Sequence, residues 1–310
     1  MVPPNIPSFA LNTGASIPAV GLGCFVGAGD EKRKQVKNWA LTALKNGYRH
    51  LDTAWIYGTE IAVGEAIRES GIPREEIFVT TKLPWHHPGY VLESVEDSLR
   101  NAQLDYFDLY LIHFPQAVAY PEGRGRPQNA EDHNVQALDS PTLNETWADM
   151  EKVLASGKAK AIGVSNFSIK TLEQLFTTAK IVPAVLQVEL HPYLTQDKLL
   201  AYCKEKGILV TAYTPTGYAK VRGDPVIGTL ATKYGVTPAQ IILAWHVSRG
   251  CAVTPKSENE GRQLENITLP TLSEEDIRTI TSLDRDERLC NYPNENGLVY
   301  GWTMEQFGWS

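Results

Sequence analysis

The sequence predicts an α/β fold, a (β/α)8 barrel with an N-terminal β-hairpin and long loops at the C-terminal face of the barrel. Three observations carry this. Short apolar runs recur at intervals of roughly 30 to 40 residues, each followed by a stretch with helical spacing. The runs are mostly continuous rather than alternating, as expected of strands buried on both faces. Residues with chemistry to offer end these runs, and a barrel binds its ligands at that edge. An open, doubly wound parallel sheet is the competing arrangement. No linker divides residues 1–310, so one domain is expected.

Taken in order, Ser8–Leu11 and Ile17–Val20 flank Asn12-Thr13-Gly14-Ala15-Ser16 and predict the hairpin. Strands are predicted over Val20–Gly23, His50–Asp52, Phe78–Leu83, Phe107–His113, Ala159–Val164, Ala184–Glu189, Leu209–Tyr213 and Cys251–Pro255. Helices are predicted near Glu31–Asn46, Glu60–Ser70, Tyr90–Ala102, Leu143–Ser156, Ile169–Thr178, Gln196–Lys206, Pro225–Tyr234 and Pro238–Ser248, with another starting at Arg262–Asn266. Thr59 is the expected N-cap of the second helix, and Ile61, Val63 and Ile67 its apolar positions. Pro115–Pro141 has no clear period. A long loop in that place is usually functional. The tail Leu289–Ser310 carries Tyr292, Tyr300, Trp302, Phe307 and Trp309, and so aromatic a segment should dock.

Composition excludes several classes. A chain that is 43% hydrophobic and 21% charged is an ordinary globular one. A net charge of −7 argues against nucleic-acid binding. No apolar run approaches the ~20 residues that span a bilayer. The N-terminus lacks the basic and apolar regions of a signal peptide. Cys24, Cys203, Cys251 and Cys290 form no CxxC, so free thiols in the cytoplasm are expected.

The candidate site residues sit at strand ends. Asp52 and Tyr57 lie five residues apart across a strand-to-helix turn. A phenol there is a candidate proton donor if its environment adjusts a pKa near 10. Lys82 ends the third run and His113 the fourth. A lone lysine is usually a surface charge and a lone histidine usually structural, but these two share a rim with Asp52 and Tyr57. No histidine has metal-ligand spacing, and no metal is expected. Ser165, Asn166 and Gln187 offer amide and hydroxyl partners for a carboxamide, and Tyr213 a flat face. Lys256, Ser257 and Arg262, beside a helix start, suit a phosphate. Gly21-Leu22-Gly23-Cys24-Phe25-Val26-Gly27 is not the dinucleotide fingerprint GxGxxG. Its glycines are better read as allowing a tight turn at the barrel rim.

Together these residues resemble the aldo-keto reductase family. Tyr48-Arg49-His50-Leu51-Asp52-Thr53-Ala54 with Glu60 and Gly64 matches one family signature, and Pro255-Lys256-Ser257 with Arg262 matches another. Gly163-Val164-Ser165-Asn166-Phe167 and Leu190-His191-Pro192-Tyr193 are also similar to that family, and Leu111-Ile112-His113-Phe114-Pro115 looks closest to fungal sugar and aldehyde reductases. The resemblance implies NADPH-dependent carbonyl reduction. Tyr57 would be the proton donor, Lys82 paired with Asp52 would lower its pKa, and His113 would orient the carbonyl. Ser165, Asn166 and Gln187 would hold the nicotinamide carboxamide, with Tyr213 stacked on the ring. Lys256, Ser257 and Arg262 would hold the 2′-phosphate, with Glu265 and Asn266 near the adenine. Gly23, Cys24, Thr214 and Thr216 would complete the cofactor site. Phe25, Trp55, Trp85 and Phe114 would wall the substrate pocket.

Three departures from the family pattern stand out. The segment 214–224 is short for a loop that folds over the pyrophosphate, and only Lys220 and Arg222 look placed to reach it. Glu258 follows the Lys-Ser pair and would weaken NADPH preference if it faced the phosphate. Pro84-Trp85 follows Lys82 where relatives often have Trp. Polar and basic residues in the long loop (Arg124, Arg126, Gln128, Asn129) favour a small polyhydroxylated aldehyde, an aldose or, if an arginine reached the mouth, a uronate. Bulky-ketone reduction and a non-catalytic regulator on the same fold are the alternatives. A monomer or weak dimer is expected.

Overall fold

A computed structural model of the chain describes residues 6–27, 29–127, 133 and 135–309. Eight parallel strands run Leu22–Gly23, His50–Asp52, Phe78–Leu83, Leu109–Ile112, Ile162–Ser165, Val185–Glu189, Leu209–Tyr213 and Ala252–Val253, each hydrogen-bonded to the next in sequence. The first and last also meet. Val20 bridges Val253 in parallel, and the Gly21 amide donates to the Val253 carbonyl at 2.8 Å. The sheet therefore closes on itself, which removes both edges and excludes the open alternative. Several strands are shorter than their apolar runs. Phe107 and Ala159 meet only as an isolated bridge ahead of the fourth and fifth strands.

The N-terminal hairpin pairs Ser8–Ala10 with Ser16–Pro18. Its Phe9, Leu11 and Ile17 pack against Phe78, Leu109, Leu111, Ala161 and Val185 at the amino ends of the strands, and so plug the bottom of the barrel. The carboxyl ends are left as the open face. Around the sheet run helices Asp30–Lys45, Glu60–Ser70, Val91–Ala102, Leu143–Ala155, Ile169–Phe176, Asp197–Lys206 and Pro238–Ser248, the last preceded by Pro225–Tyr234. Capping boxes at Thr142 with Glu145 and at Thr237 with Gln240 fix two helix starts. Among the described residues no helix is long and apolar enough to cross a membrane.

Four features depart from expectation. Thr59 occupies the N-cap position, yet its hydroxyl pairs with that of Thr53 at 2.8 Å instead of capping the helix. Ile61 is 54% exposed, whereas Val63 and Ile67 are buried. Within Pro115–Pro141, Ala117–Ala119 and Gln136–Leu138 form a two-stranded antiparallel sheet. These three-residue strands are too far apart in sequence for a turn signal to announce them. Short helices at Tyr218–Arg222 and Glu274–Thr281 are further additions to the expected set. The tail docks as expected. Val299, Tyr300 and Phe307 are buried against Trp85 and Phe114, while Gln116 Nε2 donates to the Tyr300 carbonyl at 3.1 Å.

Gly64 shows why one signature position needs glycine. A Cβ there would lie 1.9 Å from the carbonyl oxygen of Ala102, where two neighbouring helices touch. Gly64→Ala should destabilise the fold by about 2–3 kcal/mol, read from urea unfolding. An unchanged midpoint would mean that the contact relaxes freely.

Buried histidines make stability depend on pH. His50 Nε2 lies 3.0 Å from the Thr80 hydroxyl and His246 Nε2 lies 2.9 Å from the Pro215 carbonyl. Burial pushes their pKa values down from 6.5 to about 4 and about 3. Below 6.5 the unfolded chain binds protons that the folded chain refuses. Stability should therefore fall as pH drops from about 6.5 to about 4, with net proton uptake on unfolding. Urea midpoints across that window measure it, and a flat profile would contradict it.

Candidate active site

The turn after the second strand is built to hold one phenol. Asp52 ends the strand, and Trp55–Tyr57 form a single 3-10 turn closed by Gly58 in the left-handed region at φ 70°. The next helix begins with Glu60, whose buried carboxylate accepts from Thr81 Oγ1 at 2.6 Å and Asn101 Nδ2 at 2.9 Å. These bonds tie the turn to the third strand and to a neighbouring helix.

The third strand delivers Lys82, fully buried, into the barrel mouth. Its ammonium donates to Asp52 Oδ1 at 2.6 Å and the Thr53 carbonyl at 2.9 Å, and approaches the Tyr57 hydroxyl at 3.5 Å. The other Asp52 oxygen accepts from Gln187 Nε2 at 2.7 Å. His113 Nε2 lies 3.5 Å from the same Tyr57 hydroxyl. Side chains from separate strand ends thus converge on one oxygen.

Burial dominates the electrostatics. It raises the Tyr57 phenol above its ordinary value of 10.0, with Asp52 adding to the rise and Lys82 opposing it. The expected net lowering is therefore corrected: Lys82 opposes the effect of burial without reversing it, and the phenol holds its proton at neutral pH. Burial alone would lower the pKa of Lys82, but Asp52 and Tyr57 outweigh it and the net direction is up, so the ammonium stays charged. Burial, reinforced by Lys82, holds His113 well below 6.5, so the imidazole is neutral. A neutral histidine, a protonated phenol and a cation together can polarise and protonate an oxygen placed among them.

Beside this cluster, Ser165, Asn166 and Gln187 are brought together and cross-linked. Ser165 Oγ donates to the Gln187 carbonyl at 2.9 Å, and Asn166 Nδ2 to the His113 carbonyl at 2.9 Å. The Tyr213 hydroxyl donates to Asn166 Oδ1 at 2.6 Å. Gln187 commits its Nε2 to Asp52, which leaves its side-chain carbonyl oxygen as an acceptor for a carboxamide N–H. The donor and acceptor set fits a nicotinamide amide beside a flat tyrosine face.

Gly23 and Cys24 stand at the rim of the first strand. A Cβ on Gly23 would lie 2.7 Å from the Thr254 carbonyl, so close approach of chains explains the glycine. Cys24 is fully buried and burial pushes its thiol up, so its side chain is closed to a ligand. Thr214 Oγ1 lies 3.7 Å from Cys290 Sγ, and Thr216 Oγ1 accepts from Arg222 at 2.9 Å. Of the two cations expected to reach the pyrophosphate, Lys220 is paired with Glu287, whereas Arg222 makes a single hydrogen bond, to Thr216, and burial and the nearby Arg262 charge lower its pKa.

The phosphate corner lies after the eighth strand. Asn259 caps helix Glu260–Ile267 through a 2.9 Å bond from the Arg262 amide, and Ser257 Oγ lies 3.1 Å from the Asn259 carbonyl. Arg262 is exposed and its guanidinium has no ion-pair partner among the described residues. Lys256 is paired with Glu258 at 2.6 Å, so a phosphate has to compete with that carboxylate. Asn266 is buried at the corner, with Glu265 half-buried beside it. An unpaired guanidinium, a lysine, a hydroxyl and a capped helix start fit a phosphate.

Three of the four expected wall residues meet the cluster. Phe25 packs edge-on to Tyr57 at 5.0 Å, Trp85 sits 5.3 Å from His113, and Phe114 lies 5.7 Å from it. Tyr300 from the tail joins them, 4.5 Å from Trp85 and 4.8 Å from Phe114. Trp55 shares the buried apolar cluster with Trp85 and Phe114, packs on His87 at 4.6 Å, and borders a cleft of about 350 Å³ with Gly58, Glu60 and Arg126. Neither expected arginine reaches the mouth. Arg124 binds Asp97 at 3.1 Å and covers Tyr90, and Arg126 donates to the Trp55 carbonyl at 3.0 Å. Gln128 and Asn129 lie outside the described residues.

Two contacts have no signal in the sequence. Gln187 holds Asp52, and Asn291 Nδ2 donates to the Tyr213 hydroxyl at 2.8 Å. Both join residues far apart in the chain, so no local pattern announces them.

Comparison with known proteins agrees with this geometry. A model of the aldo/keto reductase family matches residues 19–285. The chain is similar to glycerol 2-dehydrogenase (NADP(+)) of Saccharomyces cerevisiae, 43% identical over 299 residues, with 92% of this chain and 94% of that protein covered. It is 41% identical to aldehyde reductase YPR1 of the same yeast, covering 89% of this chain and 90% of that protein. It is 40% identical to aldo-keto reductase family 1 member A1 of Rattus norvegicus, covering 91% and 90%. A crystal structure of an aldo-keto reductase complexed with NADPH superposes with a TM-score of 0.82 at 32% identity, covering 92% of this chain and 90% of that one. A family match over most of the chain, with relatives at this identity and coverage, establishes that the chain belongs to the aldo/keto reductase family.

Proposed function

We propose that this protein is an NADPH-dependent reductase of small, uncharged, polyhydroxylated aldehydes, working as a cytoplasmic monomer or weak dimer. The observation that carries the reading is the convergence of Lys82 and His113, each at 3.5 Å, on the hydroxyl of Tyr57, with Lys82 fixed by buried Asp52. Bound NADPH supplies the hydride. The chain does the rest. Neutral His113 and the Tyr57 O–H bind the substrate oxygen and orient its carbonyl. Tyr57 then gives its proton as negative charge develops on that oxygen. Lys82 stabilises the phenolate left behind, so its charge counts most in the transition state. Ser165, Asn166, Gln187 and Tyr213 hold the nicotinamide. Lys256, Ser257 and Arg262 take the 2′-phosphate, with Glu265 and Asn266 near the adenine. Thr214, Thr216 and the backbone at Gly23 and Cys24 would complete the cofactor site.

The relatives named for glycerol and aldehydes support a small substrate. So does an aromatic pocket narrowed by Tyr300. Aromatic walls suit the C–H faces of a sugar. Arg124 and Arg126 are engaged elsewhere, so neither stands ready to recognise a carboxylate, and the reading favours neutral aldoses over uronates. The intact tetrad counts against a purely regulatory role.

Replacing Tyr57 with Phe tests the mechanism. Turnover of an aldose or glyceraldehyde should fall by about 10²-fold or more while NADPH binding, followed by fluorescence, is kept. Near-wild-type turnover would remove Tyr57 from the chemistry. The cofactor corner has its own test. Arg262→Ala should weaken NADPH binding by roughly ten- to a hundredfold with little effect on NADH. Glu258→Gln should strengthen NADPH binding, since it frees Lys256. Equal losses for both cofactors in Arg262→Ala would overturn the 2′-phosphate assignment.

A further inference from the structure

The C-terminal segment is wired into the floor of the site. Glu189, fully buried at the end of the sixth strand, accepts from the backbone amides of Leu289 and Cys290 and lies 3.0 Å from His191 Nε2. Arg288 stands 3.7 Å from the Glu189 carboxylate and stacks on Trp309, further along the tail, at 3.9 Å. Residues 288–290 are thereby anchored to the strand end, and they deliver the residue that follows.

That residue, Asn291, sits in the left-handed region at φ 56°, which asparagine tolerates better than most residues. Its Nδ2 donates to the Tyr213 hydroxyl at 2.8 Å. That hydroxyl donates to Asn166 Oδ1 at 2.6 Å, and Asn166 Nδ2 donates to the His113 carbonyl at 2.9 Å. An unbroken chain of hydrogen bonds thus runs from the tail, through the tyrosine face, to the backbone of the histidine beside Tyr57. The same tail places Tyr300 and Phe307 against Trp85 and Phe114, over the substrate pocket.

We propose that Asn291 is a positioning residue: its amide sets the orientation of the Tyr213 ring, and so couples the docked tail to the nicotinamide face. This rests on the reading of Tyr213 as the stacking residue. The Tyr213 hydroxyl has one proton to give, and Asn166 takes it. The hydroxyl oxygen then needs a donor, and Asn291 supplies it. Without that donor the ring is held from one side only, and hydride transfer depends steeply on such placement.

The test is a double-substitution cycle on the full-length enzyme, using Asn291→Asp and Tyr213→Phe. Asn291→Asp keeps the shape and the tolerance of positive φ, but replaces the donor with an acceptor. Single-turnover oxidation of NADPH should slow by about tenfold in Asn291→Asp, with the NADPH dissociation constant changed by less than about threefold. The kinetic isotope effect with deuterated NADPH should rise as hydride transfer becomes limiting. In the Tyr213→Phe background Asn291→Asp should have little further effect, because its partner hydroxyl is gone. Additive effects, or an unchanged single-turnover rate in Asn291→Asp, would overturn the proposal. Tyr57→Phe, run in parallel, separates the two readings. If Tyr57→Phe abolishes turnover while Asn291→Asp leaves the single-turnover rate unchanged, the relay is wrong and the reductase reading stands. If Tyr57→Phe leaves turnover intact, both fall.

Discussion

The structure depends on one buried ion pair. Lys82 and Asp52 meet at 2.6 Å with both side chains almost wholly out of water. Neither charge would be stable there alone. Removing one partner of such a pair costs about 3–5 kcal/mol, because the other is left buried and uncompensated. The surroundings complete the compensation. The Thr53 carbonyl takes a second ammonium proton, and Gln187 satisfies the second carboxylate oxygen. Three adjacent features follow from this pair. Its lysine opposes the effect of burial on Tyr57 and helps keep His113 neutral, and the pair with Gln187 ties the second, third and sixth strands together across the barrel mouth.

The surroundings of the pair also explain why the site is protonated at rest. Burial keeps the proton on Tyr57 and off His113. A phenol that had already ionised could not act as an acid. What Lys82 supplies is a place for the negative charge once the proton has gone. Lys82 therefore offsets part of the cost of burying the phenolate, without releasing the proton beforehand. The tail adds a lid of aromatic rings, and its ties to Glu189 and Gln116 hold that lid against the loop after the fourth strand.

Much of this is legible in the sequence, for identifiable reasons. The strands at His50–Asp52, Phe78–Leu83 and Leu209–Tyr213 match expectation to the residue. Asp52, Tyr57, Lys82 and His113 are legible because each ends or follows a strand, and the closed barrel brings strand ends together. What the sequence hides depends on contacts between distant residues. The sign of the Tyr57 shift requires knowing that burial outweighs a nearby cation. Arg124 and Arg126 look free in a loop rich in glycine and proline, but Asp97 and the Trp55 carbonyl, both remote in sequence, claim them. Thr59 has the identity and place of a cap, and Thr53 claims its hydroxyl. In each case a polar group finds a partner that local spacing cannot reveal.

Burial keeps the proton on Tyr57, and the Asp52–Lys82 pair tunes how firmly it is held there. The most direct measurement is the pH profile of kcat for wild type and Asp52→Asn, compared where both are fully folded. Losing the carboxylate removes the charge that raises the pKa values of both Lys82 and Tyr57. The alkaline limb of the profile should therefore move to lower pH in Asp52→Asn. An alkaline limb that stays in place, with only its height reduced, would contradict the account.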